Sequence, residues 1–517
     1  MPVSAALGEG LDALLDAAVQ AAHGPPPDPW RALVSGPVQT CVRTIARLLA
    51  PAAHAAGLPP VFAATQWLDG GSTLHAPAAA ETAAARMVRE SGMPRDEALP
   101  TARFAQVDRL TRFFTLPRAL PGSRRSARID RVLTGRYTAY PAMAGLLGGV
   151  FYLTFHIIGP CLSRLLARGI AWLADAADGA LTALDAGPLL HSLVREGVFA
   201  GVGSVAAFLP VILALFFFLS LLEDTGYLAR VAFVMDRPLR RLGLSGQSAV
   251  PLLLGFGCSV PGVLAARTLP TRRDRALTIV LTPCMSCSAK APVYAAFAAA
   301  FFPGRSAVVF LALYALGILA AAVAARLLGR TALRGEAASF VMELPDYRWP
   351  NARSVLRRMW VRTREFLTRA FTVILAASVG VWVLRTFTPT WRVAANAGES
   401  LLAVVGQALA PVFAPLGFGD WRAATALVTG LLAKETVLST LGVLLGGDLT
   451  AALPGVFSPA AAASYLVFTA LYAPCVAAQA AMRQELGSRL GTLAAAAGSC
   501  AAAWCAAAVV YRIAILI

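Results

Sequence analysis

The segment LTPCMSCSAKAPVY, residues 281–294, places two cysteines, two serines and a lysine between apolar stretches. The whole chain has 517 residues, of which 57% are hydrophobic and only 14% are charged. In a membrane protein, about 20 consecutive apolar residues form one spanning helix. A proline inside a helix removes a backbone hydrogen bond and frees a carbonyl. The segment therefore predicts a broken membrane helix that presents polar groups at membrane depth.

Apolar runs of about the spanning length recur along the chain. They are residues 140–159, 199–222, 277–302, 307–328, 368–388, 423–445, 463–481 and 491–517, with a shorter run at 249–266 that is interrupted by GFGCSVPG. The ten-residue alternation of barrel strands does not appear. We therefore expect an all-α polytopic membrane protein with about 8–10 transmembrane or re-entrant helices.

The formal net charge is +17, and the arginines cluster between apolar runs. This pattern is typical of cytoplasmic loops under the positive-inside rule, so we expect membrane lipid and no nucleic acid as a partner. The chain start carries acidic residues and shows no basic segment followed by an apolar one. Because a cleavable signal peptide would need that pattern, we expect a cytoplasmic N-terminus.

Changes in composition predict four segments. Residues 1–120 have the character of a small helical cytoplasmic domain, and residues 121–330 form the first membrane half. Residues 331–365 are expected to be a cytoplasmic insert, in which the prolines of MELPDYRWP restrict the residues before them to extended conformations. Residues 366–517 form the second membrane half.

Short similarities indicate an internal repeat. LFFFLSLLEDTGYLAR (215–230) parallels ALVTGLLAKETVLST (426–440), and LTPCMSCSAKAPV (281–293) parallels LYAPCVAAQAAM (471–482). Broken segments in corresponding positions of two halves point to a transport site near the membrane midplane. We therefore predict two gate-type pseudo-repeats.

Cysteines beside proline or glycine are candidate metal ligands. They are Cys258, Cys284, Cys287 and Cys475. Because Cys284 and Cys287 are three residues apart, they would share one face of a continuous helix. Soft thiolate combined with hard carboxylate suits a borderline ion, and Fe(II), Zn(II), Co(II) and Ni(II) all remain open on this chemistry.

Each cysteine also has a plainer interpretation, because a buried cysteine often acts as a small hydrophobic side chain. We take that interpretation for Cys41, Cys161, Cys500 and Cys505. A CxxC pair is also a redox or zinc motif. A structural zinc site would need a second pair nearby, and no thioredoxin-like βαβ pattern surrounds residues 284–287.

Ionisable residues within apolar runs complete the candidate set, because such residues are functional candidates by default. Glu223, Asp224 and Glu435 are candidate metal ligands, and we expect Glu223 and Glu435 to face one polar path. Lysine occurs only twice among the 45 basic residues. We assign gating or structural support to these lysines and to the prolines before the cysteines: Lys290, Lys434, Pro283 and Pro474.

Taken in order, these strings resemble the ferrous iron transport protein B family. The similar stretches are FLSLLEDTGYLARVAFVMDR (217–236), GLSGQSAVPLLLGFGCSVPGVLAARTL (243–269), RALTIVLTPCMSCSAKAPVYAAFAAAFFP (275–303), MELPDYRWP (342–350), PLGFGDWRAATALVTGLLAKE (415–435) and LYAPCVAAQAAMRQELG (471–487). The resemblance implies a non-enzymatic Fe²⁺ importer of the bacterial inner membrane. It also implies that the four motif cysteines lie near the metal. Lys290 departs from the family, which usually has arginine there.

Members of this family open with a GTPase domain that carries a GxxxxGK[ST] phosphate loop, a motif without a match here. PVSAALGEGLDALLDAA (2–18) resembles the end of that domain, and residues 61–71 and 101–114 resemble the helical adaptor that follows it. We therefore expect no nucleotide site in this chain and a GTPase partner in cis or in trans. The resemblance also allows a small cytoplasmic accessory protein and an oligomer.

Other function classes remain open on the sequence. One is a transporter for another divalent metal, such as manganese or zinc. Another is a regulatory membrane paralogue that transports nothing, although the intact Pro-Cys, Gly-Cys and Ala-Lys-Glu motifs argue against it. A nucleoside carrier with gate-type repeats is a further alternative, and the motif cysteines favour metal over nucleoside.

Overall fold

A computed structural model describes residues 10–24, 36–69, 76–111, 121–135, 137–335, 344–394, 396–446 and 449–516. The chain divides into two compact units, residues 1–120 and 121–517. Throughout the described ranges the regular structure is helical, apart from one isolated bridge between Phe387 and Val393. The all-α class predicted from the sequence is confirmed.

The N-terminal unit contains short helices. They are α1 (Leu11–His23), α2 (Pro37–Ala55), α3 (Pro60–Leu68), α4 (Ala78–Ser91) and α5 (Arg95–Thr111). The buried residues of α2 include Val42, Ile45 and Leu49, whose spacing places them on one helical face. They pack with Leu68 and Met87 in a small core of this unit. The sequence predicts helical structure for this region.

The second unit begins with a series of eleven helices. They are α6 (Pro121–Leu133), α7 (Ala139–Tyr152), α8 (Gly159–Ala183), α9 (Pro188–Ser192), α10 (Ala200–Asp224), α11 (Tyr227–Arg240), α12 (Ala249–Gly257), α13 (Ser259–Ala265), α14 (Arg272–Leu281), α15 (Ala291–Phe301) and α16 (Ser306–Arg330). Short π-helical segments, Leu153–Ile158 and Leu193–Phe199, lead into α8 and α10.

Eight further helices complete the chain. They are α17 (Ala352–Thr386), α18 (Leu401–Phe413), α19 (Trp421–Leu432), α20 (Thr436–Leu445), α21 (Leu449–Ala452), α22 (Pro459–Leu471), α23 (Val476–Leu486) and α24 (Arg489–Leu516). Helix α17 runs without interruption across residue 365, where the sequence predicts the end of the insert.

Five helical stretches in the described ranges are long and apolar enough to cross a membrane. They are Ala139–Ala183, Arg272–Phe301, Ser306–Arg330, Pro459–Leu486 and Arg489–Leu516. The number rises to nine if each of four strongly bent helix pairs counts as one span, and one of those pairs, α2 with α3, lies in the N-terminal unit. Long spans mixed with bent pairs are the polytopic arrangement expected from the sequence.

The order of elements repeats within the second unit. Helices α10 to α16 form a first repeat, in which α12–α13 and α14–α15 are broken pairs. Helices α17 to α24 form a second repeat, in which α19–α20 and α22–α23 are broken pairs. The predicted match of 281–293 with 471–482 agrees with this order. The match of 215–230 with 426–440 would pair α10–α11 with α19–α20 and stays a prediction.

Extended residues create the breaks. Cys258 has φ −155° and ψ 131° between α12 and α13, and Ala433 has φ −147° and ψ 130° after α19. A glycine lets the first break pack closely, since a Cβ on Gly262 would lie 2.7 Å from Thr282 Cγ2 and 2.8 Å from Pro251 O. The helical path is thereby interrupted inside the membrane unit, as the proline and glycine pattern predicts.

The segment before α17 has no regular secondary structure over residues 344–350 and is held by a buried arginine. Arg230 donates to both carboxylate oxygens of Asp130, at 2.9 and 3.0 Å, and also to the carbonyl of Pro345. The guanidinium lies 4.1 Å from the centre of the Tyr347 ring, and the Tyr347 hydroxyl donates to Asp130 at 3.0 Å. Burial raises the pKa of the Tyr347 phenol, and the Asp130 carboxylate raises it further. This contact fixes α6, α11 and the start of the second repeat to one another.

Candidate functional site

The breaks of the two repeats meet around one cavity of about 110 Å³, which we call the thiol chamber. Each repeat has two helix breaks, which makes four in all. At each break, the residue just before the helical segment that follows lines this cavity. These residues are Cys258, Cys287, Glu435 and Cys475. Two of them come from the first repeat and two from the second. The structure thus brings together four of the seven predicted metal ligands.

The position before a helix explains why these residue types are suitable here. The free N–H groups of the first helical turn carry partial positive charge, so a negative side chain is favoured beside them. Cys475 holds this position for α23, and Glu435 holds it for α20. Thiolate and carboxylate are the forms that bind a metal cation. Helix ends that favour anionic side chains can therefore present a cation site.

The ligand groups are close but do not form a closed cage. The thiols of Cys258, Cys287 and Cys475 interact electrostatically with one another, and Glu435 interacts with the first and the last of them. Among the residues that the structure describes, no three His, Cys, Asp or Glu side chains are arranged to hold one ion. A tight structural metal site is therefore not assembled in this conformation.

The two lysines both bind the carboxyl-terminal end of α22. Lys290 Nζ donates to the carbonyl of Ala470 at 2.6 Å, and Lys434 Nζ donates to the carbonyl of Ala473 at 2.6 Å. Both side chains are almost completely buried. Because carbonyls at a helix C-terminus carry partial negative charge, a cation is favoured there. A supporting role for the lysines, which the sequence predicts, would act through these two hydrogen bonds.

The carbonyls of the two prolines before the cysteines accept hydrogen bonds from side chains. The carbonyl of Pro283 accepts a hydrogen bond from Lys290 Nζ at 3.3 Å. The carbonyl of Pro474 accepts one from Gln479 Nε2 at 2.8 Å. Both prolines line the thiol chamber. Polar backbone groups at the breaks therefore have partners, as irregular backbone at membrane depth requires.

Cys284 is placed differently from the other motif cysteines. Its side chain packs against an apolar cluster formed by α12, α14 and α16 and does not line the thiol chamber. The expectation that Cys284 and Cys287 share a helical face is wrong, because the backbone turns extended at Met285, with φ −70° and ψ 128°. The two side chains therefore point to different surroundings.

Glu223 and Asp224 also lie apart from the thiols. Glu223 pairs with Arg362 at 2.8 Å, and Asp224 pairs with Arg358 at 3.0 Å. Glu223 lines a separate cavity of about 470 Å³ among α10 to α13, with Arg267 and Arg362 in its wall; we call it the basic cavity. Glu223 and Glu435 are therefore not brought together in one cavity, contrary to the expected shared path.

A third cavity, of about 370 Å³, opens among α17 to α20 at the equivalent place in the second repeat. Its hydroxyl-bearing residues are Ser378, Ser400, Thr425, Thr429, Thr436, Ser439 and Thr440. We call it the hydroxyl vestibule. Sequence reasoning missed these residues. The signal was present, because Thr425 and Thr429, like Thr436 and Thr440, are spaced four apart and so share a helical face.

Two ion pairs place the basic cavity and the hydroxyl vestibule at opposite ends of α17. Arg362 pairs with Glu223 beside the basic cavity, and Arg385 pairs with Glu196 at 3.1 Å beside the vestibule. At 1.5 Å per residue, the two arginines are about 34 Å apart along the helix. The hydrocarbon core of a bilayer is about 30 Å thick. This separation is comparable to that thickness. The thiol chamber adjoins the vestibule through Leu432, Ala433 and Glu435.

Helix breaks that meet between two repeats, with a cavity beside each repeat's breaks, define a polytopic membrane protein of the gate class. Residues 205–301 and 367–489 match the Gate family, described as nucleoside recognition. These blocks cover α10 to α15 and α17 to α23 respectively. Residues 310–362 match the family described as ferrous iron transport protein B C terminus. The chain belongs to the ferrous iron transport protein B family and carries its membrane portion.

Individual relatives agree with this assignment. The chain is 40% identical over 364 residues to an "Fe(2+) transporter FeoB" of Staphylococcus aureus (strain COL), covering 70% of this chain and 55% of that protein. It is 36% identical over 369 residues to a protein of the same name from Methanocaldococcus jannaschii, covering 69% and 54%. It is 35% identical over 441 residues to an "Fe(2+) transport protein A/Fe(2+) transporter FeoB fusion protein" of Porphyromonas gingivalis, covering 75% and 51%. The chain thus spans about half the length of these relatives.

Proposed function

We propose that this chain forms the permeation unit of a ferrous iron transporter. The observation that carries the proposal is the convergence of Cys258, Cys287, Glu435 and Cys475 at the breaks of two repeats. Thiolate and carboxylate together match the intermediate softness of Fe²⁺. The names of the relatives, which refer to Fe(2+) transport, agree with this chemistry.

In this proposal, Fe²⁺ exchanges part of its hydration shell for ligands of the thiol chamber and then leaves. Conduction requires binding that is strong enough to admit an ion and weak enough to release it. An incomplete ligand set meets this requirement better than a closed four-thiolate cage would. Lys290 and Lys434 hold the end of α22, and with it the loop that carries Cys475, in position.

The size of the thiol chamber disfavours a nucleoside at the thiols themselves. Pockets for small organic ligands usually have volumes of about 300 Å³ or more. The thiol chamber measures about 110 Å³, which suits an ion with a few ligands. The same cavity would suit another divalent metal, such as manganese or zinc. The transport experiment below therefore has to distinguish Fe²⁺ from these ions.

The topology that we propose places the basic cavity on the cytoplasmic side of a bacterial inner membrane. Arg267, Arg358 and Arg362 lie at that end of the protein, as the positive-inside rule favours. The N-terminal unit is then cytoplasmic, and the hydroxyl vestibule opens to the opposite side. Reaction of introduced cysteines with a membrane-impermeant reagent tests this orientation.

Control by a GTPase domain, supplied in cis or in trans, belongs to the same proposal. The N-terminal helical unit would serve as the adaptor between that domain and the membrane unit. The fusion with Fe(2+) transport protein A in the Porphyromonas gingivalis relative supports a small cytoplasmic accessory partner. Transport measured with and without an added GTPase partner and GTP tests the coupling.

The deciding experiment uses the purified chain in liposomes that enclose an Fe²⁺-sensitive dye. Cys258→Ser, Cys287→Ser, Cys475→Ser and Glu435→Gln should each reduce the Fe²⁺ influx at least about tenfold, because even the loss of a supporting group commonly weakens metal function 10- to 100-fold. Mn²⁺ and Zn²⁺ influx, measured with matching dyes, shows whether Fe²⁺ is preferred.

Cys505→Ser is the matched control, because Cys505 is exposed on α24 and distant in the chain from every break. It should transport Fe²⁺ at the wild-type rate. Wild-type influx in all three thiol variants, with normal protein yield, would remove the thiol chamber from the pathway. Influx of Mn²⁺ or Zn²⁺ in preference to Fe²⁺ would instead support the alternative metal.

A further inference from the structure

The hydroxyl vestibule differs from the basic cavity in the groups that it presents. Hydroxyl side chains make up seven of its twenty-one lining residues, whereas the basic cavity has Thr268 alone among seventeen. Charged groups differ as well. Two carboxylates and one guanidinium line the vestibule, and one carboxylate and two guanidinium groups line the basic cavity. Equivalent places in the two repeats therefore carry opposite formal charge.

Hydrogen bonds inside the protein orient the vestibule hydroxyls. Thr436 donates to the carbonyl of Ala433 at 2.8 Å, and Ser439 donates to the carbonyl of Thr436 at 3.1 Å. Thr429 lies 3.0 Å from the carbonyl of Ala426 and 2.8 Å from the Thr440 hydroxyl. Since a hydroxyl has one hydrogen and two lone pairs, these side chains use their hydrogens internally and keep acceptor oxygens for the cavity. Acceptor oxygens suit a cation or its water shell and disfavour an anion.

One hydroxyl-bearing residue of the vestibule lining, Thr425, directs its oxygen elsewhere. Thr425 lines the vestibule and is 2% exposed, and its Oγ1 has no hydrogen-bond partner among the described residues. A buried polar atom without a partner costs about 1–3 kcal/mol. This oxygen faces Gly406 of α18, where an added Cβ would overlap it, so it belongs to the contact between α18 and α19 and not to the cavity.

Glu435 connects the vestibule to the thiol chamber. Its carboxylate is the one charged group shared by the linings of the two cavities. The other charged groups of the vestibule, Glu196 and Arg385, pair with each other near its outer end. The carboxyl group of the vestibule that is not paired with Arg385 therefore lies at its inner end, next to the thiols.

We infer that the hydroxyl vestibule is a second cation site, in which a hydrated divalent cation is held by threonine and serine oxygens and by Glu435 before it reaches the thiols. This inference rests on the proposed transport function and adds a site of different chemistry to it. Oxygen ligands and retained water suit hard divalent ions, whereas thiols select softer ones. Glu435 then passes the ion from oxygen ligands to sulfur ligands.

Two probe ions separate the two sites. Mn²⁺ favours oxygen ligands, and its binding to the purified full chain is measured by the loss of the free Mn²⁺ electron paramagnetic resonance signal. Cd²⁺ favours sulfur, and its binding is measured by the ultraviolet absorption of cadmium–thiolate bonds. Neither readout requires transport, so the vestibule can fail while the proposed function stands, and the reverse also holds.

The key variant is Thr429→Val with Thr440→Val, which removes one hydrogen-bonded hydroxyl pair. Replacing both partners by groups of similar shape costs little stability. We expect Mn²⁺ affinity to fall at least about tenfold, equivalent to about 1.4 kcal/mol, while Cd²⁺–thiolate absorption is retained. Cys258→Ser with Cys287→Ser and Cys475→Ser should do the opposite, and Glu435→Gln should weaken Mn²⁺ binding.

Thr278→Val with Ser248→Ala is the matched control. This pair is also hydrogen-bonded, at 2.9 Å, but it is fully buried and lines none of the three cavities. The control should bind Mn²⁺ like the wild type. Two results would overturn the inference: unchanged Mn²⁺ affinity in the Thr429/Thr440 variant, or loss of Mn²⁺ binding together with Cd²⁺ binding in the cysteine variant.

Discussion

Lys290 donates a 2.6 Å hydrogen bond to the carbonyl of Ala470, which lies 180 residues further along the chain and in the other repeat. The bond joins the break between α14 and α15 to the last turn of α22. Its charge and its burial make it stronger than a neutral bond at the surface. The position of one broken helix is thus tied directly to that of its counterpart.

Lys290→Met should destabilise the membrane unit. The substitution keeps a long apolar side chain but removes the charged donor from Ala470 and Pro283. Hydrogen bonds to charged groups contribute about 1.5–3 kcal/mol, so thermal unfolding in detergent should occur at a clearly lower temperature. Lys290→Arg should recover part of the loss. An unchanged unfolding temperature in Lys290→Met would show that this bond contributes little.

Cys284 and Cys287 should behave differently although they are neighbours in the sequence. Cys287 lines the thiol chamber, whereas Cys284 packs in the apolar cluster beside α16. We expect Cd²⁺ to protect Cys287 from a small thiol reagent at least about tenfold more than Cys284, as differential metal binding of about 1.4 kcal/mol would give. Mass spectrometry of the labelled peptides measures both rates. Equal protection would indicate that Cys284 also faces the ion.

Gly406→Ala should weaken the contact between α18 and α19. An added Cβ would lie 2.8 Å from the carbonyl oxygen of Trp421 and would overlap Thr425 Oγ1. Overpacking of this kind typically costs about 1–3 kcal/mol, which a thermal unfolding assay resolves. Gly442→Ala is the control, since its Cβ would meet no atom within 4 Å. Alanine there should be neutral or stabilise α20 by about 0.5–1 kcal/mol.

Arg230→Met should release the segment before α17. Arg230 is 1% exposed, and removing one partner of a buried ion pair typically costs about 3–5 kcal/mol. Limited proteolysis should then cleave within residues 344–350 much faster than in the wild type. Tyr347→Phe removes only the hydroxyl bond to Asp130, so its effect should be smaller. Equal cleavage of all three proteins would contradict the anchoring role of Arg230.

Patterns of local sequence predicted the membrane fold well. Long apolar runs indicated the spans, and Pro283, Pro474 and the glycines around Cys258 indicated the breaks. These features have local effects, because a proline or an extended residue interrupts a helix whatever the helix packs against. The repeat of 281–293 in 471–482 was visible for the same reason.

Contacts between distant segments could not be predicted in this way. Nothing local in the sequence separates Cys284 from Cys287, because their different surroundings follow from the extended backbone at Met285 and Cys287. Glu223 and Glu435 look alike in sequence, yet one pairs with Arg362 and the other lines the thiol chamber. The partner of a buried charge depends on tertiary packing. The spacing of residues in a single sequence does not predict that partner.

In the transporter that we propose, the ligands of the thiol chamber come from both repeats, Cys258 and Cys287 from the first and Glu435 and Cys475 from the second. The coordination number of a bound ion would therefore depend on the distance between the two repeats. A small rocking of one repeat against the other would strip ligands from the ion without any ligand gaining a proton. Release of the ion would then depend on a change in the distance between the repeats. Contacts between the repeats, such as the hydrogen bond from Lys290 to Ala470, limit that change.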